Sequence, residues 1–512
     1  MTLLDDAGTG VADRLRQLTG VGPDGPYLLP LNAGEQYRFS FAMESCIGCH
    51  SCEVACAEQN DTPVDVAWRR VGELESGEFP KARRFSMSMA CNHCLEPTCL
   101  SGCPTNAYVK LANGVVQHLE DECIGCQYCI WNCPYEVPVF DRRRKIVSKC
   151  DMCLPRLEAG QKPACVGACP TRAIDVERVD VAAWRADHAA ADAPSLPPSG
   201  LTLSTTRLVL PPDLASDAVA ASDHRVEPEH PHWPLIVLTL LTQLALGTVA
   251  ATVAAEAAGG RRLAGGAVGA AAAGAVAMLA SLLHLGRPAR ALKALRNLRT
   301  SWLSREVALL SLFAGLALAY AAAWEGWAAG LPRLPIGIAA VSVGAAGVFA
   351  SGRLYLVPSR PVWNSPRTLV AFFATAVATG PLLALLALDR GRLGDTMVLA
   401  LLAAAAAGSL AQVAVLRHLA LDVRRRSDRQ HQGTATLLLV RFRGLLQARL
   451  AAAALGIAVL AWVPSEPVGG AAAGGRLWVA LAVLVAGELA GRYLFYVTVV
   501  PYRVAVPFFG KP

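Results

Sequence analysis

Sixteen cysteines fall into four groups between Cys46 and Cys169, and the chain has no others. The first group is Cys46, Cys49, Cys52 and Cys56, spaced C-x2-C-x2-C-x3-C. The second is Cys91, Cys94, Cys99 and Cys103, spaced C-x2-C-x4-C-x3-C. The third, Cys123, Cys126, Cys129 and Cys133, repeats the first spacing and runs into Pro134. The fourth is Cys150, Cys153, Cys165 and Cys169, spaced C-x2-C-x11-C-x3-C. Thiolates select soft metals and iron–sulfur clusters. Structural zinc uses C-x2-C pairs set well apart, and three closely spaced cysteines plus a fourth fit that poorly. A disulfide framework needs an exporting context. The acidic start Met1–Asp6, with Arg14 and Arg16 soon after, does not have the form of a signal peptide.

The run C-x2-C-x2-C-x3-C-P is the bacterial ferredoxin signature, in which the fourth cysteine ligates the other cluster of a pair. Three thiolates two residues apart can wrap one cubane, and the fourth points toward a second. Pro104 and Pro170 also follow the last cysteines of their groups, and only Ala57 departs. Taken four at a time, the sixteen thiolates predict four [4Fe–4S] clusters. His50 and His93 sit inside cysteine groups whose ligand count is already complete, so they are expected beside the ligands or on the surface.

Elements that must hold these loops are legible around them. Phe39 to Met43 alternates as a strand leading to Cys46, and Val115 to Leu119 does the same before Cys123, after an Asn113-Gly114 turn. Little apolar core is available over this length, so the clusters themselves must hold much of the fold. The expected class is two-part: small α+β ferredoxin-like repeats, followed by an all-α transmembrane bundle. Residues 1–35 read as an extension with a short amphipathic helix, 36–185 as the cluster domain, 186–232 as linker and 233–505 as a membrane anchor. Within the linker, Leu201 to Leu210 has strand character and could fold back onto the cluster domain. His224, His230 and His232 are spread there among prolines and acids. The basic run Asp141 to Lys145 reads as a solvated turn, or as a dock for an acidic partner or lipid headgroups.

Composition supports this division. Of 512 residues, 54% are hydrophobic and only 17% charged, an average over two unlike halves. After Trp233-Pro234 come eight apolar stretches of spanning length, about 20 residues each: 234–255, 264–285, 304–324, 335–357, 368–388, 396–416, 445–463 and 476–499. Their Ala and Gly content suits close helix packing. Loops on the side shared with the cluster domain carry eighteen Lys and Arg, and the opposite loops six: Arg261, Arg262, Arg333, Arg390, Arg392 and Arg476. Basic loops stay inside. The cluster domain and C-terminus are therefore expected on the cytoplasmic face of a bacterial inner membrane. The net charge of +7 resides in membrane-flanking loops and makes no case for nucleic acid.

Within this half, His284 ends the second stretch and Glu306 opens the third, so both are expected at similar depth. Ionisable groups inside a membrane are costly and are functional candidates. Quinone chemistry moves two electrons and two protons. It needs a hydrogen-bonding group at the ring carbonyl, which histidine supplies near neutrality, and a carboxylate to relay the proton. The plainer alternative is that both residues cap helices. Glu488 and Arg492, one turn apart, are expected to pair, and Arg353 is a third charge at depth. A b-type haem needs two facing histidines. His284 alone is clearly within a span and His418 lies at an edge, so no haem is expected.

Cys91-Asn92-His93-Cys94, Cys123-Ile124-Gly125-Cys126-Gln127-Tyr128-Cys129, Cys133-Pro134-Tyr135 and Lys149-Cys150-Asp151-Met152-Cys153 resemble the four-cluster subunit of dimethyl-sulfoxide-reductase-type molybdopterin oxidoreductases. The likeness covers about 37–180. It implies crossed ligation: Cys46, Cys49, Cys52 and Cys169 on one cluster; Cys56, Cys150, Cys153 and Cys165 on the next; Cys91, Cys94, Cys99 and Cys133 on a third; Cys103, Cys123, Cys126 and Cys129 on the last. Leu283-His284-Leu285-Gly286-Arg287-Pro288 and Ser301-Trp302-Leu303-Ser304-Arg305-Glu306 resemble the eight-span anchor subunit of the same family, here fused into one polypeptide. This second resemblance implies a quinol site at His284, Gly286, Arg290 and Glu306. Together they imply electron transfer between membrane quinone and a separate molybdopterin catalytic subunit, of the sulfoxide-reductase kind or of a sulfite-dehydrogenase kind that feeds quinone. The competing classes are a transporter or pump with a redox-sensing domain, and a scaffold whose clusters only stabilise the fold.

Overall fold

The computed structural model describes residues 21–22, 25–26, 28, 30–78, 80–221, 226–259, 266–328, 330–388, 393–465 and 470–502. The N-terminal helix expected before residue 20, His224 and the loop arginines Arg261, Arg262, Arg390 and Arg392 lie outside the described residues. The chain divides into two units, one ending at Arg225 and one spanning Val226–Pro501.

In the first unit, strand β1 (Glu35–Ala42) covers the expected alternation and places Phe39 and Phe41 in the core. It carries β8 (Ile174–Asp180) antiparallel on one edge, with Ile174 opposite Phe41. On the other edge β9 (Arg207–Val209) runs parallel, with Leu208 opposite Phe41. A second sheet joins β2 (Arg70–Ser76) to β3 (Arg83–Met89), and β10 (Val219–Ala220) extends it. Two hairpins support the inner cysteine loops: β4 (Tyr108–Lys110) with β5 (Val116–His118), and β6 (Val139–Asp141) with β7 (Ile146–Ser148). Short helices follow the cysteine loops: α1 (Ser51–Asn60), α2 (Thr98–Gly102), α3 (Tyr128–Asn132), α4 (Leu154–Glu158) and α5 (Ala164–Gly167). A sixth, α6 (Val181–Ala186), is capped by the Asp180 carboxylate.

The stretch read as linker is therefore not a free connector up to Ala221. Its strands β9 and β10 complete both sheets, and Thr202 Oγ1 reaches Cys94 Sγ at 3.1 Å. The expected fold-back within Leu201–Leu210 is met at β9, whereas the two-residue β10 gave no signal and takes its pairing from the edge of β2. The basic run forms the β6–β7 turn. Asp141 accepts from the backbone of Arg143 and Arg144, and the Arg144 guanidinium bridges Asp141 and Glu120.

The second unit is helical: α7 (Trp233–Ala257), α8 (Gly266–Leu282), α9 (Trp302–Glu325), α10 (Arg333–Leu354), α11 (Pro366–Ala387), α12 (Asp395–Arg425), α13 (Arg429–Thr436), α14 (Arg443–Trp462) and α15 (Ala471–Val497). Seven of these are long and apolar enough to cross a membrane, and α8, at 17 residues, is a shorter apolar helix among the described residues. The second expected span begins at 264, in a segment outside the described residues, so its measured length falls short of the expectation.

Small residues set how closely these helices approach. On α7 and α11, a Cβ at Gly247 would overlap the Ala376 carbonyl, and one at Gly380 would overlap the backbone of Gly247. Backbones this close leave no room for a methyl, and overpacking costs about 1–3 kcal/mol. Gly380→Ala is expected to lower the thermal midpoint of the membrane part, and Gly380→Leu to prevent its accumulation. Unchanged midpoints for both would refute the close crossing.

Candidate functional site

Each cysteine group opens on the same local device. The residue two after the first cysteine turns its N–H back onto that sulfur. His93 N donates to Cys91 Sγ at 3.5 Å, Gly125 N to Cys123 Sγ at 3.4 Å and Met152 N to Cys150 Sγ at 3.3 Å. Gly48 serves Cys46 in the same way. All four residues have positive φ: 66° at Gly48, 45° at His93, 70° at Gly125 and 60° at Met152. Such turns point backbone N–H groups into a concavity, the usual anion cradle of iron–sulfur sites. Gly48 and Gly125 were the sequence signal for it; His93 and Met152 gave none.

The thiols gather in sets drawn from different groups. Cys46 lies beside Cys49 and Cys169. Cys56 neighbours Cys153 and Cys165, and Cys150 neighbours Cys56. Asn60 Nδ2 reaches Cys56 Sγ at 3.7 Å and Cys153 Sγ at 3.8 Å. Cys94 and Cys99 sit by Cys91 and Cys133. Cys126 and Cys129 sit by Cys103 and Cys123. Cys52 stands near Cys165, where the first two sets meet. Among the described residues, no three His, Cys, Asp or Glu side chains close on a single-ion position. Thiols drawn together from separate loops suit iron–sulfur clusters, which take their ligands from more than one segment.

Electrostatics fits that load. Burial pushes the thiols of Cys56 and Cys94 up to about 12 and that of Cys133 to about 11. They ligate only as thiolates, so metal must displace their protons. Two buried cations and one half-buried one, which sequence reasoning missed, offset the resulting negative charge. Arg69, 3% exposed, lies over the Phe39 ring and donates to Ser88 Oγ; Cys165, Cys52 and Cys150 hold its pKa up against burial. Lys149 donates to the carbonyls of Val116 and Cys150, and Cys91, Cys99 and Cys150 outweigh its burial and hold its pKa up. Lys110 ties the carbonyls of His93, Cys94 and Gly114 together. Only Lys149, beside Cys150, had a motif to mark it.

His93 is fully buried, whereas His50 is exposed and bonded to Glu53 at 2.8 Å. His93 Nδ1 accepts from Val116 N at 3.0 Å, which leaves the proton on Nε2, 3.9 Å from Cys150 Sγ. Burial and the charges of Lys149 and Lys110 hold its pKa well below the usual histidine value, so it stays neutral. One imidazole thus joins the Cys91 loop to the Cys150 loop.

In the second unit, the expected quinone residues lie at one end of the bundle. His284 follows the last turn of α8, Gly286 and Arg290 lie in the connecting loop, and Glu306 is buried in the second turn of α9. The structure adds aromatic and polar neighbours that the sequence did not announce. His232, which precedes α7, meets His284 edge-on at 5.8 Å and Tyr496 at 6.0 Å between ring centroids. The hydroxyls of Tyr496 and Tyr355 are hydrogen-bonded. Trp363 stacks on Phe495 at 4.9 Å and donates from Nε1 to the Phe495 carbonyl. These residues are far apart in sequence and share no motif; only helix packing brings them together.

The expected Glu488–Arg492 pair is not the one formed. Glu488 ion-pairs with Arg449 of α14 at 3.6 Å, and Arg492 donates to Gln243 Oε1 of α7 at 2.6 Å. One turn on a helix sets proximity, and both side chains bond Thr375 Oγ1, but Glu488 takes its ion pair from α14 and Arg492 its shortest hydrogen bond from α7. Arg449, counted from sequence as a loop charge, is buried within α14. Arg353 lies over the Trp302 ring at 5.1 Å.

Residues 83–179 match the family described as a 4Fe-4S dicluster domain. Residues 227–497, more than half of the sequence, match the family described as DMSO reductase anchor subunit (DmsC). The protein belongs to the dimethyl sulfoxide reductase anchor family. Its first unit is 41% identical over 177 residues to a component of the anaerobic dimethyl sulfoxide reductase of Haemophilus influenzae, covering 33% of this chain and 86% of that protein. The corresponding component in Escherichia coli is 37% identical over 153 residues, 28% of this chain and 75% of its own length. A component of the sulfite dehydrogenase of Allochromatium vinosum is 37% identical over 150 residues, 25% of this chain and 62% of its own. This member of the anchor family therefore carries its iron–sulfur part and its anchor in one polypeptide. It is a multi-pass membrane protein and the electron-transfer and anchor component of a dimethyl sulfoxide reductase-like complex.

Proposed function

We propose that this protein carries four [4Fe–4S] clusters on the crossed cysteine sets and exchanges their electrons with membrane quinone at His284, Gly286, Arg290 and Glu306. A separate molybdopterin subunit, docked on the cluster domain, does the substrate chemistry. Clusters of this kind supply one-electron steps at potentials set by charge, hydrogen bonds and exposure. The protein's own residues do the rest. The backbone N–H groups and buried cations hold the thiolates' charge. His284 hydrogen-bonds a quinone carbonyl, and Glu306 holds the proton that leaves or enters with it. The observation that carries this reading is the presence, in one polypeptide, of sixteen grouped cysteines and an anchor-family helical unit with His284 and Glu306 at one end. We assign the cluster domain from about residue 36 and the anchor to 233–505.

Two directions of flow fit this assembly. In a reductase, quinol feeds the clusters; in a sulfite-oxidising relative, the clusters feed quinone. The test is the isolated complex mixed with a soluble quinol analogue. Bleaching of cluster absorbance on a catalytic timescale, with molybdenum co-purifying, is the expected result. A complex that exchanges electrons with neither quinol nor quinone would refute the reading in favour of a transporter with a redox-sensing domain.

Orientation is proposed from the basic loops: cluster domain and C-terminus cytoplasmic, in the inner membrane. A fluorescent reporter fused after Pro512 is expected to fold and fluoresce. A periplasmic phosphatase that is active at that position would reverse the topology.

A further inference from the structure

Five helices of the membrane part converge on a polar cluster remote from any motif. Glu488 accepts from Thr375 Oγ1 at 2.6 Å and from Gln412 Nε2 at 3.0 Å, and ion-pairs with Arg449. Gln412 Oε1 in turn accepts from Arg449 at 2.8 Å. Arg492 donates to Gln243 Oε1 and to Thr375 Oγ1 at 3.1 Å, and its guanidinium lies 4.0 Å from the Phe372 ring centroid. Glu488, Arg449 and Arg492 are each 9% exposed or less.

The charge does not close. Among the described residues of the cluster, two arginines stand against one carboxylate, which leaves one positive charge in a segment meant for hydrocarbon, where that is expensive. The hydrogen bonds do not close either. Glu488 Oε2, both glutamine carbonyls and the Thr375 hydroxyl each accept a hydrogen bond, and Glu488 Oε1 faces Arg449 at 3.6 Å. Two buried donors, Arg492 Nε and Gln243 Nε2, have no partner. Beside them is a cavity of about 70 Å³ lined by Gln412, Arg449, Glu488 and Arg492 with Leu416 and Phe495. That volume takes several water-sized occupants.

What is missing is one negative charge. We infer that this cavity binds a small monovalent anion of halide size, held by the Arg449 and Arg492 guanidiniums. With it the cluster is neutral and the Arg492 guanidinium, which lines the cavity, has an acceptor for its spare Nε–H. Water alone would satisfy the donors but leave the charge. This site is separate from the quinone residues and stands whether or not that assignment holds.

The direct test is a crystal of the full-length protein soaked in sodium bromide. An anomalous peak between Arg449 and Arg492 is expected, and its absence overturns the inference. In detergent solution at constant ionic strength, replacing chloride by gluconate is expected to lower the thermal midpoint of the wild type. Arg492→Gln neutralises the cluster without an anion and is expected to abolish that difference. Glu488→Gln raises the imbalance to two charges and is expected to enlarge it. A wild-type midpoint indifferent to the anion, or an Arg492→Gln protein as sensitive as the wild type, sinks the proposal. The bromide peak needs no variant to fold.

Discussion

Replacing His284 with alanine is expected to cut quinol-linked turnover by a factor of about 10² to 10⁴, the range that a positioned proton-transfer group supplies. The cluster spectra should persist, because His284 and the cysteine loops belong to separate units of the protein. The reason is chemical rather than architectural. Reduced quinone gives up its electrons only as its protons leave, and an imidazole can accept or donate at the ring oxygen near neutral pH. His284 faces His232, and beyond His232 lie Tyr496 and Tyr355 with their linked hydroxyls. That end of the bundle offers polar groups beside His284. The measurement pairs quinol-oxidation kinetics with low-temperature paramagnetic resonance of the reduced clusters. Wild-type turnover in His284→Ala would remove the site from the quinone assignment and leave the helix-capping role.

The second large effect is expected from Cys165→Ser. Cys165 is buried and stands beside Cys52, Cys56 and Cys153, where the first and last cysteine groups meet. Four cubanes give about sixteen iron atoms per chain. Loss of this ligand is expected to bring the count to about twelve and to lower the amount of assembled protein. Metal-binding free energy in small metal-held folds is folding free energy, on the order of 10–16 kcal/mol for a structural zinc. Domain stabilities are only about 5–15 kcal/mol. The cluster domain has more apolar core than its sequence suggested, around Phe39, Phe41, Met87 and Ile174, but Cys165 is packed into that core, so loss of its ligand set is felt there. Iron analysis and resonance spectra decide it. Sixteen irons retained in the variant would break the assignment of Cys165, and about eight in the wild type would break the count of four.

Fusion of the two parts has a functional consequence of its own. In a two-subunit arrangement, the electron-transfer piece and the anchor must find each other. Here the covalent connection after Ala221 makes their association intramolecular, with an effective concentration set by a short segment. The residues just before it, Val219 and Ala220, are already committed to the edge of β2.

The cysteine spacing, the eight apolar stretches and the His284 and Glu306 motifs were legible in the sequence alone. Each is a local pattern: ligand loops need fixed separations of two or three residues, and a span needs about 20 apolar residues. Strand β1 and the β4–β5 hairpin were visible for the same reason, through alternation and a turn pair. Only the tertiary structure decided which distant side chains meet. It placed Arg69 and Lys149 against the cysteines, His232 against His284, and Tyr355 against Tyr496. It gave Glu488 its ion pair with Arg449, and it drew residues 219–220 into the second sheet. Periodicity reports which face of an element is buried, not what lies across from it. A side chain such as Arg492, long enough to reach two neighbouring helices, takes its partner from packing, and packing is written in no short stretch of sequence.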